Sequence, residues 1–219
     1  PKVGIVQHYQ RDVDAEGRPL NNPLPDWPPG YTLADFLDGR FINAATSSLA
    51  FRKSVLDQAL PVPAAIFYLY DDYLLDFGLL AADIANIPRI LGYHRIHGDN
   101  NWAQGYLDAR KLEGSIRELS AFRRYLEPKL QARGLAFSER YLAVQDLEVR
   151  KRQILLAMHQ GRRGEAARVW GGLAAAHGRT PFGFFRCATC LLALSSPRLY
   201  LAAYAFYSSA HWLGNLRRR

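Results

Sequence analysis

The stretch Tyr93-His94-Arg95-Ile96-His97-Gly98-Asp99-Asn100-Asn101 closes an apolar, strand-like run with a cation, two imidazoles and two amides. Upstream, Tyr70-Asp71-Asp72-Tyr73-Leu74-Leu75 closes another such run with two adjacent carboxylates. Together these place acid, base, cation and a metal-capable imidazole within reach of one pocket. Such a set suits a negatively charged, metal-bound substrate.

Working outward, Asp71–Leu80 reads as a helix that starts at the acidic pair, where orphan amides and the helix dipole favour carboxylates. Residues 85–93 read as a short turn and strand. Val3–Tyr9 is β-branched enough for a strand, followed by a polar turn over Arg11–Arg18. Pro23, Pro25, Pro28 and Pro29 make an irregular loop. Thr32-Leu33-Ala34-Asp35-Phe36-Leu37 reads as a short helix, with Thr32 at the cap and Asp35 three residues on. Thr46–Phe51 reads as a strand, and Arg52–Ala59 as a short helix stopped near Pro61 and Pro63.

From about Trp102 the character changes to long periodic segments, roughly 104–133, 137–160, 163–177 and 182–213, broken by glycines and by Pro197. Charge changes with it. Residues 1–108 hold 8 Lys/Arg against 13 Asp/Glu, and residues 109–219 hold 20 against 7. The net charge of +8 therefore belongs to the second half, which points to an anionic surface, either membrane headgroups or nucleic acid. The basic residues are spread over several helices and no nucleic-acid-binding motif accompanies them, so no nucleic-acid partner is expected. The segment around Tyr200, Tyr204, Phe206, Tyr207 and Trp212 is too short to span a bilayer. It reads either as a helix lying in the headgroup region or as a helical hairpin packed on the rest of the protein.

A chain of 219 residues that is 49% hydrophobic can bury a sizeable core, which argues against global disorder. No charged-then-apolar leader opens the chain, so no secretory signal is expected. The two cysteines, Cys187 and Cys190, have C-x-x-C spacing but sit in an apolar helical run without a second pair. They read as buried small residues rather than a redox or metal motif, and such sparing use fits a reducing compartment.

Four pieces follow one another in order: Ala45-Thr46-Ser47-Ser48-Leu49-Ala50-Phe51-Arg52-Lys53, Leu60-Pro61-Val62-Pro63, Tyr70-Asp71-Asp72-Tyr73-Leu74, and Pro88 through Asn101. That order resembles the second half of a family 2 glycosyltransferase with the GT-A fold, and Val13-Asp14-Ala15-Glu16-Gly17 resembles the turn after that family's metal-binding acidic motif. The resemblance covers about residues 1–103. It implies an α/β chain: a partial GT-A (Rossmann-like) core over 1–103 and a basic all-helical region over 104–219. The family's nucleotide-binding strands are not found and no acidic D-x-D triplet precedes the strand at Val3, as if the enzyme were cut just after that element.

By the same resemblance, Asp71 or Asp72 is the general base of an inverting sugar transfer, and the two are not separated. His97 completes a divalent metal site (Mg or Mn) in the complete enzyme. Tyr93 and Arg95 bind substrate beside it, Arg95 through phosphate or by ordering its loop. Thr46, Ser47 and Ser48 line the acceptor side, and Arg52 ties its helix to the site. Trp27 and Trp102 either stack on a sugar or belong to the core. The implied partners are a nucleotide-sugar donor, a glycan or lipid-linked acceptor and an anionic membrane surface, with the protein cytoplasmic and peripheral on the inner face of the cell membrane. The rival expectation is an inactive homologue kept as a scaffold or membrane-binding module.

Overall fold

A computed structural model describes residues 2–20, 24–41, 44–97, 106 and 108–209, with only the backbone of 181, 182 and 204–209. The architecture is mixed α/β. By packing, the chain divides into two units: residues 1–97 with 117–144, and residues 98–116 with 145–219.

The first unit is built on a four-stranded sheet of β1 (Val3–Val13), β2 (Gly30–Tyr31), β3 (Leu49–Phe51) and β4 (Asp83–Arg95), in the order β2-β4-β1-β3. The two long strands, β1 and β4, run parallel, from Val3 opposite Asp83 to Val13 opposite Arg95, with register shifts around Tyr9. The short strands flank them antiparallel, β3 on β1 and β2 on β4. Both long strands exceed their sequence-based bounds. Each borrows hydrogen-bond partners from the other through Arg11–Val13 and Tyr93–Arg95, which local alternation cannot reveal. The turn expected over Arg11–Arg18 shrinks to Asp14–Gly17, closed by Arg18 on the Asp14 carboxylate and by Gly17 at φ +86.

Helix α1 (Leu33–Leu37) forms for the expected reason. Thr32 Oγ1 accepts from the Asp35 N–H, and the Asp35 carboxylate accepts from the Thr32 N–H. Helix α2 (Lys53–Ala59) and helix α3 (Tyr70–Leu79) then cover one face of the sheet. α3 lies close on β1: a Cβ added at Gly78 would come within 2.6 Å of the Ile5 Cδ1. Ile5 and Leu75 are fully buried, and each such side chain contributes about 1.5–3 kcal/mol by leaving water. Gly30 marks another close approach. A Cβ there would stand 2.3 Å from the Ile84 carbonyl oxygen, so any larger residue pushes β2 off β4.

One expectation fails locally. Thr46–Ser48 is a 3₁₀ turn and only Leu49–Phe51 is strand. The Ser48 N–H and its hydroxyl both donate to the Ala45 carbonyl, and such local bonds compete with an extended ladder.

Two long helices, α4 (Ala109–Gln131) and α5 (Glu139–His159), each lend one end to each unit. In the first, Phe122, Leu126 and Leu130 of α4 and Tyr141 of α5 join the sheet's core. In the second, Leu112, Leu147, Ile154 and Leu155 pack with α6 (Arg163–His177), α7 (Pro181–Ser195) and α8 (Pro197–Ser209). Pro197 begins α8, where its missing N–H costs nothing. Cys187, Cys190 and Tyr200 are all buried in this core. Tyr200 is therefore not on a headgroup-facing surface, and Tyr204, Phe206, Tyr207 and Trp212 lie outside the described side chains.

Candidate functional site

The first turn of α3 is where the site is built. No side chain of its own cap, Leu69, satisfies the exposed amides. Glu118, on α4, instead takes the two amides that lead into the helix: the N–H groups of Tyr68 and Leu69 each donate to its Oε2 at 2.8 Å. Glu118 is completely buried. The acid that anchors this helix start thus lies some fifty residues downstream, and it fixes the point at which Asp71 and Asp72 leave the chain.

Asp71 is half-buried, and the Thr46 backbone N–H donates to its carboxylate. Burial raises its pKa above the usual carboxylate range, and that N–H only partly offsets the rise. Its Oδ1 and the Thr46 Oγ1 are both buried with no hydrogen-bond partner among the described residues. The Thr46–Ser48 turn in turn lies against β1 and β4. Ser47 accepts a 2.8 Å hydrogen bond from Gln10 Nε2 on β1. Asp71, Thr46, Ser47 and Gln10 therefore form one connected polar set along the sheet.

Asp72 shares the first turn of α3 and is half-buried. One turn further on, Asp76 is 8% exposed, and burial together with the charge of Asp72 pushes its pKa well above the usual value. Sequence reasoning missed both Asp76 and Glu118. Glu118 carried a signal, because it falls between Ser115 and Phe122 in the buried phase of α4, where a carboxylate needs a partner.

The remaining candidates divide. Ser47 is exposed and able to meet a ligand, whereas Ser48 is 2% exposed and spends its hydroxyl on Ala45. Arg52 Nε donates to the Val3 carbonyl at 2.9 Å, tying α2 to β1. Tyr93, 72% exposed, and Arg95 are two apart on β4 and share a face of the sheet, while His94 turns to the other and meets Asp12 at 3.0 Å. His97 is exposed just past the end of β4. The Gln10–Ser47 bond places the Thr46–Ser48 turn at the level of Gln10, which pairs with Gly92. His97 lies five residues further, up to ~16 Å along the strand direction at 3.3 Å per residue. Trp27 packs on Tyr9, with ring centroids 5.0 Å apart, and belongs to the core. Asp99, Asn100, Asn101 and Trp102 lie outside the described residues.

A scan of protein-family models, a search of curated proteins and a search of solved structures each returned no match. The geometry therefore carries the functional argument. Among the described residues no three His, Cys, Asp or Glu side chains are grouped to hold a metal ion. His97 fits one ligand of such a site and no more, so no chemical step is derived through a metal. No described helix is long and apolar enough to cross a membrane.

The arrangement lends itself to proton abstraction. A carboxylate fixed on a rigid helix start has its proton affinity raised by burial, beside hydroxyl and amide groups that can orient a hydroxylic substrate.

Proposed function

We propose that this chain supplies the acceptor side of a glycosyltransferase with a GT-A-like core. The enzyme moves a sugar from a nucleotide-sugar to a hydroxyl of a glycan or lipid-linked acceptor with inversion. Asp71 or Asp72 takes the proton from the attacking hydroxyl, and the exposed Ser47 orients the acceptor. Arg95 and Tyr93 meet the donor side. The observation that carries the reading is the connected set at the start of α3: a half-buried Asp71 of raised proton affinity against the Thr46 turn, on a helix whose lead-in amides are held by a buried glutamate. A base working near neutral pH gains from such a shift.

The test is release of nucleoside diphosphate coupled to sugar transfer by the protein carrying this sequence. Loss of a positioned base costs roughly a hundredfold or more in kcat, so Asp71→Asn or Asp72→Asn should fall by that much while keeping its circular dichroism. Unchanged turnover in both variants overturns the proposal. The 219-residue chain alone is expected to hydrolyse no nucleotide-sugar, since the nucleotide-binding strands of the family it resembles are not found in its sequence. Robust hydrolysis that vanishes in the two variants would refute that expectation.

A further inference from the structure

Helix α7 is built inside out. Its buried positions are the small ones, Gly183, Cys187, Cys190 and Ala193. Its large apolar residues face outward: Phe184 is 66% exposed, Phe185 41%, Leu191 44% and Leu192 38%. The one charged residue on the helix, Arg186, is half-buried and approaches Glu148 at 3.9 Å. An ordinary surface helix has the opposite pattern. Leu199 at the start of α8, 55% exposed, is a further outward apolar residue on the next helix. Exposed Arg179 and Arg198 flank α7 before its start and after its end.

We propose that this face of α7 docks on an anionic phospholipid surface. At about 1.5 Å per residue the 15-residue helix is ~22 Å long, short of a hydrocarbon core of about 30 Å, so it lies in the interface plane. The phenylalanines and leucines enter the acyl boundary, while Arg179 and Arg198 meet headgroup phosphates. In the unit that contains α7, residues 145–209 hold 9 Lys/Arg against 3 Asp/Glu, an excess that favours an anionic lipid surface over a neutral apolar partner. The proposal stands apart from the sugar-transfer reading and can fail or hold without it.

The experiment is co-sedimentation of the full chain with vesicles of phosphatidylcholine, alone or mixed with phosphatidylglycerol. The wild type should bind the mixed vesicles and lose at least roughly tenfold in affinity on neutral vesicles or in high salt. Phe184→Ser with Leu191→Ser, both exposed and so compatible with the fold, should lose roughly tenfold or more on the mixed vesicles. Arg179→Glu with Arg198→Glu should remove the salt-sensitive part. Phe184→Trp should shift its fluorescence to the blue on vesicle addition. Wild-type protein left in the supernatant, or serine variants that bind as tightly as wild type, overturns the proposal. So does a vesicle-free dimer that the serine substitutions dissolve, since the face would then belong to a second copy.

Discussion

Helices α3 and α5 both bury carboxylates, and they do so in opposite ways. On α3, burial and a neighbouring like charge raise the pKa values: Asp76 is pushed well up by burial and by Asp72, and Asp71 is pushed up by burial. On α5, burial also pushes Glu148 up, but Lys151 and Arg152 on the same helix, with Arg186 beyond, bring it down to about 2. Lys151 and Arg152 are themselves nearly buried and lie over the Tyr106 ring. The α5 cluster is an electrostatic unit in which three cations hold one carboxylate ionised. The α3 acids keep a raised proton affinity at a cost in stability.

The largest expected effect breaks the compensated side. Glu148→Ala strips the carboxylate from buried cations and should cost about 3–5 kcal/mol in denaturant unfolding. A change below 1 kcal/mol would mean that the cluster does not form in solution. Next is the acid at the start of α3. Glu118→Ala leaves the Tyr68 and Leu69 amides without their acceptor and should cost ~2–3 kcal/mol. Amide hydrogen exchange should accelerate at those two residues first, and Glu118→Gln, which keeps an acceptor oxygen, should recover part of the loss.

The pH dependence sharpens the contrast further, because the two helices carry opposite signs. Glu148 binds protons less tightly folded than unfolded, so its contribution is complete above pH 4.5 and is lost as pH falls toward about 2. Asp76 binds its proton more tightly folded, so its contribution is best near or below 3.8 and declines as pH rises above that. Asp76→Asn should match wild type in acid and become progressively more stable than wild type toward neutrality. Equal pH profiles would place a counter-charge beside Asp76. The smallest effect is at the thiols: Cys190 is buried, with its pKa up to about 11, so a thiol reagent at neutral pH should leave the native chain unlabelled until it unfolds.

What the sequence disclosed follows the range of the forces involved. The Thr32–Asp35 box, the helix starting at the acidic pair and the helix over 163–177 each rest on contacts within a turn or two, and each forms where its residues say. The buried Cys187 and Cys190 were also legible, since an apolar run with a single pair has no other use for them. The Thr46–Ser48 turn was not, because β propensity and local hydroxyl bonding compete there and only packing decides. Neither was the Glu118 bond, which joins residues about fifty positions apart. Tyr200 goes inside and the exposed face falls on α7, because helical periodicity shows that a face is apolar without saying which side of the bundle it takes.

Because α4 and α5 each serve both units, their completion is interleaved in time. A nascent chain leaving the ribosome has β1, α3 and β4 in hand early, yet the Tyr68 and Leu69 amides wait for Glu118, and the aromatic cluster of Phe36 waits for Phe137 and Tyr141. By then the opening turns of α4, which belong to the other unit, have already been synthesised. A fragment ending near residue 103 would thus emerge with an open apolar flank and require a chaperone.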